Sequence, residues 1–348
     1  MMFYTTVAGW MLLYCGKMAL GQFEGLDPAG VSAAFDSMQA DPVIMLIFMT
    51  IVVVLCMAIC ARGLRNGVEK ITKVMMLALL ALLIALAVRA VTLPGAGAGL
   101  EFYLKPDFGK LSSYGFWEVI FAAMGQAFFT LSLGIGAMAI FGSYIGRERR
   151  LLGEALNVTV LDTFVAFTAG LIIFPSAFAF GVTPDQGPSL IFVTLPNIFN
   201  SMAGGRIWGA LFFLFMSFAA LSTVIAVFEN ILSFPMDKWG WSRKKSVAVN
   251  LPLIFVLSLP CLLGFNVLSG VSILGGGIMD FEDFILSNNL LPLGSLVYLL
   301  FCVSRNGWGW KNFIAEVNTG KGLKFPDKLR LYMKWVVPIL VLFVFVMG

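Results

Sequence analysis

Apolar residues run along this chain in long blocks, and the charged residues gather in the short stretches between them. A helix that crosses the hydrocarbon core of a bilayer needs about 20 mostly apolar residues. Read at that length, the pattern predicts about nine spans, near 1–20, 42–62, 70–93, 114–143, 151–179, 206–234, 246–265, 284–304 and 331–347. The predicted class is an all-α polytopic membrane protein. Two connections carry more than a tether needs. Residues 94–112 open on Pro94-Gly95-Ala96-Gly97 and continue through Tyr103 to Pro106-Asp107-Phe108. Residues 181–205 hold Thr183-Pro184-Asp185-Gln186-Gly187-Pro188 and then an apolar run from Ser189 to Val193. Glycine and proline around apolar stretches predict short helices folded onto the outer face, in the manner of a lid.

Composition sharpens the class. Apolar residues are 59% of the 348 and charged residues 12%, with a mean hydropathy of +0.93. A soluble domain cannot hide that much apolar surface. The net charge of +4 becomes informative once its residues are placed. Arg62, Arg65, Lys70 and Lys73 follow the second span, Arg147, Arg149 and Arg150 the fourth, and Lys238, Arg243, Lys244 and Lys245 the sixth. Arg305, Lys311, Lys321, Lys324, Lys328, Arg330 and Lys334 lie between the eighth span and the ninth. These are alternate loops, so the positive-inside bias assigns them to the cytoplasm of a cell (plasma or inner) membrane, with the start of the chain inside and its end outside. The loop from Gly21 to Asp41 has only acids, as an outer loop should.

Several chemistries are excluded. No basic patch is interleaved with aromatics on a soluble face, so nucleic acid is not a partner. Histidine is absent, which removes His-based triads and histidine proton relays. The five cysteines (Cys15, Cys56, Cys60, Cys261, Cys302) lie in apolar runs or at their ends and show no metal spacing; Cys56 and Cys60 share a helical face, which reads as packing. No nucleophile–base pair can be assembled, so the chain is not read as an enzyme.

Polar groups inside the spans carry the remaining information. The fourth span contains Gly125-Gln126-Ala127-Phe128-Phe129-Thr130-Leu131-Ser132-Leu133-Gly134-Ile135-Gly136. Glycines there weaken the helix and predict a break in the middle of 114–143, tolerable at membrane depth only where it faces a cavity or another helix. Small residues for a helix–helix seam are the other reading. Asp162, in the fifth span, would cost about 2.5–3.5 kcal/mol if ionised at mid-helix. It has no Lys or Arg on its own helix. Either a bound Na⁺ compensates it, since hard cations take oxygen ligands, or it is protonated or reaches the inner surface. In the sixth span, Ser222, Thr223 and the carbonyl of Ala219 make a second oxygen cluster; hydroxyls bonding back to their own helix are the ordinary alternative.

With these residues in view, the chain resembles the neurotransmitter:sodium symporter family, in its bacterial amino-acid branch, essentially from end to end. The stretch Gly125 to Ser132 through Gly136 resembles the unwound sixth helix of that family. Arg89-Ala90-Val91-Thr92-Leu93-Pro94-Gly95-Ala96, Gly187-Pro188-Ser189-Leu190-Ile191-Phe192 and the Ala219-to-Thr223 cluster fit as well. Broken helices at the substrate depth of this fold are a general rule of which the family is the standing example.

The resemblance implies an inverted-repeat sodium symporter fold as one transmembrane domain over 1–348. Residues 1–93 would be the last three helices of the first repeat, 94–112 an outer loop, 113–304 the second repeat with its outer loop 181–205, and 331–347 a final helix. It implies sodium site one at Thr130 and Asp162, and sodium site two at the Ala219 carbonyl, Ser222 and Thr223. Tyr4 would meet the substrate carboxylate, Phe129 would cap the pocket, and Ser132, Ile135 and Val227 would line the side-chain subsite. Asp283, with Gln126 nearby, would form the outer gate. Residue 1 then falls at the start of the family's third helix, so the first two helices, with their sodium ligands and the arginine partner of Asp283, are expected to be missing. Leu77 stands where relatives often carry proline, which removes a helix breaker. Ala166 stands where chloride-dependent relatives carry serine, and leaves chloride open.

The function implied, for the complete protein, is sodium-coupled symport of a neutral, hydrophobic amino acid by alternating access, with Na⁺, the amino acid and the lipid bilayer as partners and no organic cofactor. Two alternatives stand beside it. One is a truncated non-transporting remnant or regulatory partner of a transporter. The other is proton-coupled transport on the same fold, with Asp162 carrying the proton.

Overall fold

The computed structural model describes residues 2–181 and 188–347. Part of the expected outer loop, 182–187, lies outside the described residues. Among those described there is no strand, only helices, turns and two isolated bridges. In chain order the α-helices are α1 (Met2–Ala19), α2 (Pro28–Ala40), α3 (Pro42–Ala61), α4 (Lys70–Val91), α5 (Ala96–Leu104), α6 (Phe108–Tyr114), α7 (Phe116–Thr130), α8 (Ala137–Tyr144) and α9 (Leu151–Ala179). They continue as α10 (Leu195–Ser201), α11 (Gly205–Trp239), α12 (Arg243–Leu263), α13 (Ile278–Phe284), α14 (Leu291–Val303), α15 (Trp310–Val317) and α16 (Val337–Met347). Among the described residues, seven helical stretches are long and apolar enough to cross a membrane. The first of the nine expected spans is filled by α1, of 18 residues, whose Tyr4, Thr5, Thr6, Tyr14 and Lys17 make it less apolar than those seven, and 114–143 is filled by two shorter helices.

Local chemistry sets several boundaries. Asp41 accepts hydrogen bonds from the amides of Val43 and Ile44, and Pro42 occupies the first helical position, so α3 starts cleanly. Asp27 and Pro28 start α2 in the same way. Gly240, at φ 64°, closes α11; a left-handed residue there lets the chain leave the helix without a Cβ clash. The two connections expected on the outer face form short helices, α5 and α6 in one and Leu190–Thr194 with α10 in the other.

The chain divides into two compact units. The first comprises Met1–Pro106 and Val165–Met279, the second Asp107–Phe164 and Asp280–Gly348. In the first, α1 packs along α11, α3 and α12, and α11 also meets α3 and α4. Gly9 lets α1 approach α3 so closely that a Cβ would stand 3.0 Å from the Met49 amide nitrogen. Above it sits an aromatic cluster. Trp10 meets Phe35, Phe192 and Phe265 edge-on, and Tyr14 packs against Phe23, Phe192 and Phe213, with centroids 5.0–5.7 Å apart. At the other end of α11, Glu229 is fully buried. Arg243 answers it with two hydrogen bonds, 2.7 and 2.8 Å, and donates a third to the Cys60 carbonyl. On α5 the Tyr103 ring stacks on Phe174 and its hydroxyl donates to the Phe167 carbonyl at 3.1 Å. Gly170 makes the room, since any side chain there would run into that ring.

The second unit is more sparsely buried. Phe128, Val341 and Val344 form its small core, with Met124, Leu296 and Val337 against them. Two loops are stitched together at one end: the amide of Arg150 donates to the Lys321 carbonyl at 3.1 Å, and the amide of Lys321 donates to the Glu148 carbonyl at 2.8 Å. The Arg150 guanidinium donates to the carbonyls of Asn318 and Gly322.

Candidate functional site

In the second unit, α7 ends at Thr130 and α8 begins at Ala137. The intervening 131–136 includes three left-handed residues, Ser132 (φ 52°), Gly134 (φ 83°) and Gly136 (φ 88°). Ser132 is costly there, because a Cβ crowds the backbone in that region. The break expected from the sequence is therefore present, and it is held by contact. A Cβ on Gly134 would collide with the backbone of Leu291 and stand 2.7 Å from the Ser295 amide nitrogen, and one on Gly294 would collide with the Gly134 carbonyl. Only paired glycines allow α14 to lie against the break.

Next to it, the Thr130 hydroxyl donates to Asp162 Oδ1 at 2.9 Å. Asp162, on α9, is half-buried, and among the described residues it forms no ion pair. Ser132 and Ile135 fall in the non-helical stretch, both half-buried. Phe129 sits on the last turn of α7 and lines a cavity of about 440 Å³. Gln126 and Asp283 line the same cavity, with Phe121, Asn288 and Val344. Asp283 accepts a hydrogen bond from Ser287 at 2.9 Å.

In the first unit, the Ser222 hydroxyl donates to the Ala219 carbonyl at 2.8 Å and the Thr223 hydroxyl to the same oxygen at 3.2 Å. Three oxygens thus converge on one turn of an unbroken helix, in the back-bonded arrangement. Tyr4 on α1 has its hydroxyl within hydrogen-bonding reach of Thr223. Val227, one turn further along α11, is buried.

The structure thus brings Thr130 to Asp162, Gln126 and Phe129 to Asp283, and Tyr4 to Thr223. Sequence reading passed over Ser287 and Gly294. Gly294 had a signal, a glycine two residues after Pro292 in an apolar helix; a serine four residues from an aspartate had none.

A model described as the sodium:neurotransmitter symporter family matches residues 35–348. The chain is 35% identical to an uncharacterized sodium-dependent transporter, YhdH, of Bacillus subtilis, over 99% of its own length and 75% of the relative's. It is 32% identical to an uncharacterized sodium-dependent transporter of Haemophilus influenzae, with the same coverage. Among solved structures it is similar to the crystal structure of MhsT in complex with L-phenylalanine, with a TM-score of 0.87 and 38% identity over 99% of this chain and 77% of that one.

Proposed function

The chain belongs to the sodium:neurotransmitter symporter family, and on that premise we propose that it works in sodium-coupled uptake of a neutral, hydrophobic amino acid. The observation that carries the reading is the Thr130–Asp162 contact at 2.9 Å beside the break at 131–136. A carboxylate in a membrane-spanning helix needs a counter-charge. Asp162 forms no ion pair among the described residues, and a sodium ion meets that need while taking the Thr130 oxygen as a second ligand. The Ala219 carbonyl, Ser222 and Thr223 offer oxygens to a second ion; binding there rotates the two hydroxyl protons away from the carbonyl.

The substrate follows from the residues assigned to it. Tyr4 presents a hydroxyl to an amino-acid carboxylate. The family resemblance assigns Ser132, Ile135 and Val227 to the side chain of the substrate and Phe129 to the cap over it, and Ile135 and Val227 are apolar. The L-phenylalanine held by MhsT supports an aromatic or aliphatic side chain. Asp283 and Gln126 gate the outer entrance, and the basic loops face the cytoplasm. Sodium and amino acid each raise the other's affinity, as linkage requires.

Uptake of radiolabelled phenylalanine and leucine into right-side-out vesicles, in sodium and then in choline, tests the reading. Asp162→Ala removes the sodium-stimulated part and leaves the choline baseline. Uptake at the parent level in that variant overturns the sodium assignment, and parent uptake undiminished in choline moves the coupling to protons.

A further inference from the structure

The connection between α14 and α16 is built rather than loose. Arg150 holds it through the carbonyls of Asn318 and Gly322, at 3.1 and 2.7 Å. The Asn318 side chain closes a turn onto both backbone groups of Phe325. Trp310 Nε1 donates to Asp327 at 2.6 Å, and the rings of Trp310, Phe313 and Phe325 pack against one another. This frame presents Lys321, Lys324, Lys328, Arg330 and Lys334, all exposed. None of the five forms an ion pair among the described residues. Asp327, the acid among them, is already engaged by Trp310. Large apolar side chains are interleaved with the cations: Leu323 is 57% exposed, Leu331 70% and Trp335 58%. Lys334 lies 5.2 Å from the Trp335 ring.

We propose that residues 321–335 form a binding surface for anionic phospholipid headgroups. The cations run directly into the apolar stretch Asp327–Val346, which places them at the level of lipid phosphates. Clusters of four to eight Lys and Arg beside a membrane span attract anionic lipid. Exposed Leu331 and Trp335 suit the acyl boundary below the headgroups, whereas a free phosphate would gain nothing from them. The surface is independent of the transport reading, because it shares no residue with the sodium or substrate groups.

The test uses the full chain in phosphatidylcholine nanodiscs doped with brominated phosphatidylglycerol or, in parallel, brominated phosphatidylcholine. Quenching of Trp335 is isolated as the difference between the parent and Trp335→Phe. The expected result is at least about threefold stronger quenching by the anionic lipid, shrinking as salt rises from about 0.1 M to about 1 M and the Debye length falls from roughly 10 to 3 Å. Lys321→Gln, Lys324→Gln, Lys328→Gln and Arg330→Gln together abolish the preference, and Arg at the three lysines keeps it. Equal quenching by the two lipids in the parent overturns the proposal, whether or not the glutamine variant folds. So does a preference that survives in a folded glutamine variant, or one that dissolved inorganic phosphate removes at constant ionic strength.

Discussion

The oxygens proposed to hold sodium lie in two different kinds of helix. Those on α11 belong to an unbroken helix of 35 residues, with 56% of its apolar window buried. Its hydroxyls bond back to Ala219, so every group is satisfied before any ion arrives. Those around Thr130 sit at a rupture between α7 and α8, where the i→i−4 ladder stops and Ser132 is strained. Only Phe128 of α7 is buried, and the Ile278–Val303 window is 11% buried. The difference teaches that a membrane helix can offer oxygens at two kinds of cost. A continuous helix gives up a neutral hydrogen bond, whereas a broken one stores backbone strain and needs a neighbour, here Gly294, to hold it.

Five substitutions, one of them a control, break or sharpen that contrast. The largest effect is expected from Arg243→Ala in the first unit. It removes the cation that faces the buried carboxylate of Glu229, and losing one partner of a buried pair costs about 3–5 kcal/mol. A thiol-reactive dye reporting on buried Cys56, Cys60 and Cys261 should show a large fall in melting temperature; a fall worth under about 1 kcal/mol would mean that the pair behaves as a surface bridge. Next comes Gly134→Ala, which adds a Cβ at φ 83° against the backbone of α14. About 1–3 kcal/mol is expected, with loss of uptake, while Gly125→Ala, which meets nothing within 4 Å, stays within about 0.5 kcal/mol of the parent or gains. Ser132→Gly should act in the opposite direction, raising stability by roughly 0.5–1 kcal/mol as strain is released; a loss on melting would remove strain from the account of the break. The smallest stability effect belongs to Ser222→Ala. Deleting a half-buried back-bonded hydroxyl costs about 0.5–1 kcal/mol, yet the sodium concentration for half-maximal uptake should rise several-fold. An unchanged sodium curve would leave Ser222 a plain helix hydroxyl.

Much of this was legible in the chain. Block length and charge placement give most of the spans, and the Gly134 and Gly136 pair inside an apolar run gives the break. The residues that meet across it were harder. Nothing in local pattern says that Gly134 faces Gly294, because packing in lipid rests on small residues whose partners lie far along the chain. Hydropathy also fails to separate lipid-facing from protein-facing positions. Val52 and Val54 on α3 look alike in sequence, yet one is fully buried and the other 46% exposed. The Glu229–Arg243 pair was hidden for a different reason. Arg243 reads as one more cytoplasmic cation, and only the fold shows that it points inward. Helix α15 had a usable signal in Trp310, Phe313, Ile314 and Val317, an i, i+3, i+4, i+7 stripe inside what composition marks as a loop.

The stitch between Arg150 and the 318–322 turn sets a timetable for synthesis. Arg150 and Gly322 are 172 residues apart, and chains emerge from ribosomes at about 5–20 residues per second. For roughly 10–30 s after Arg150 is made, its partner turn does not yet exist. During that interval water must hold the Arg150 amide and guanidinium, and α8 and α9 enter the bilayer without the tie that later joins their turn to residues 318–322. A chaperone or insertase that acts on this protein would meet that turn open, and would release it closed.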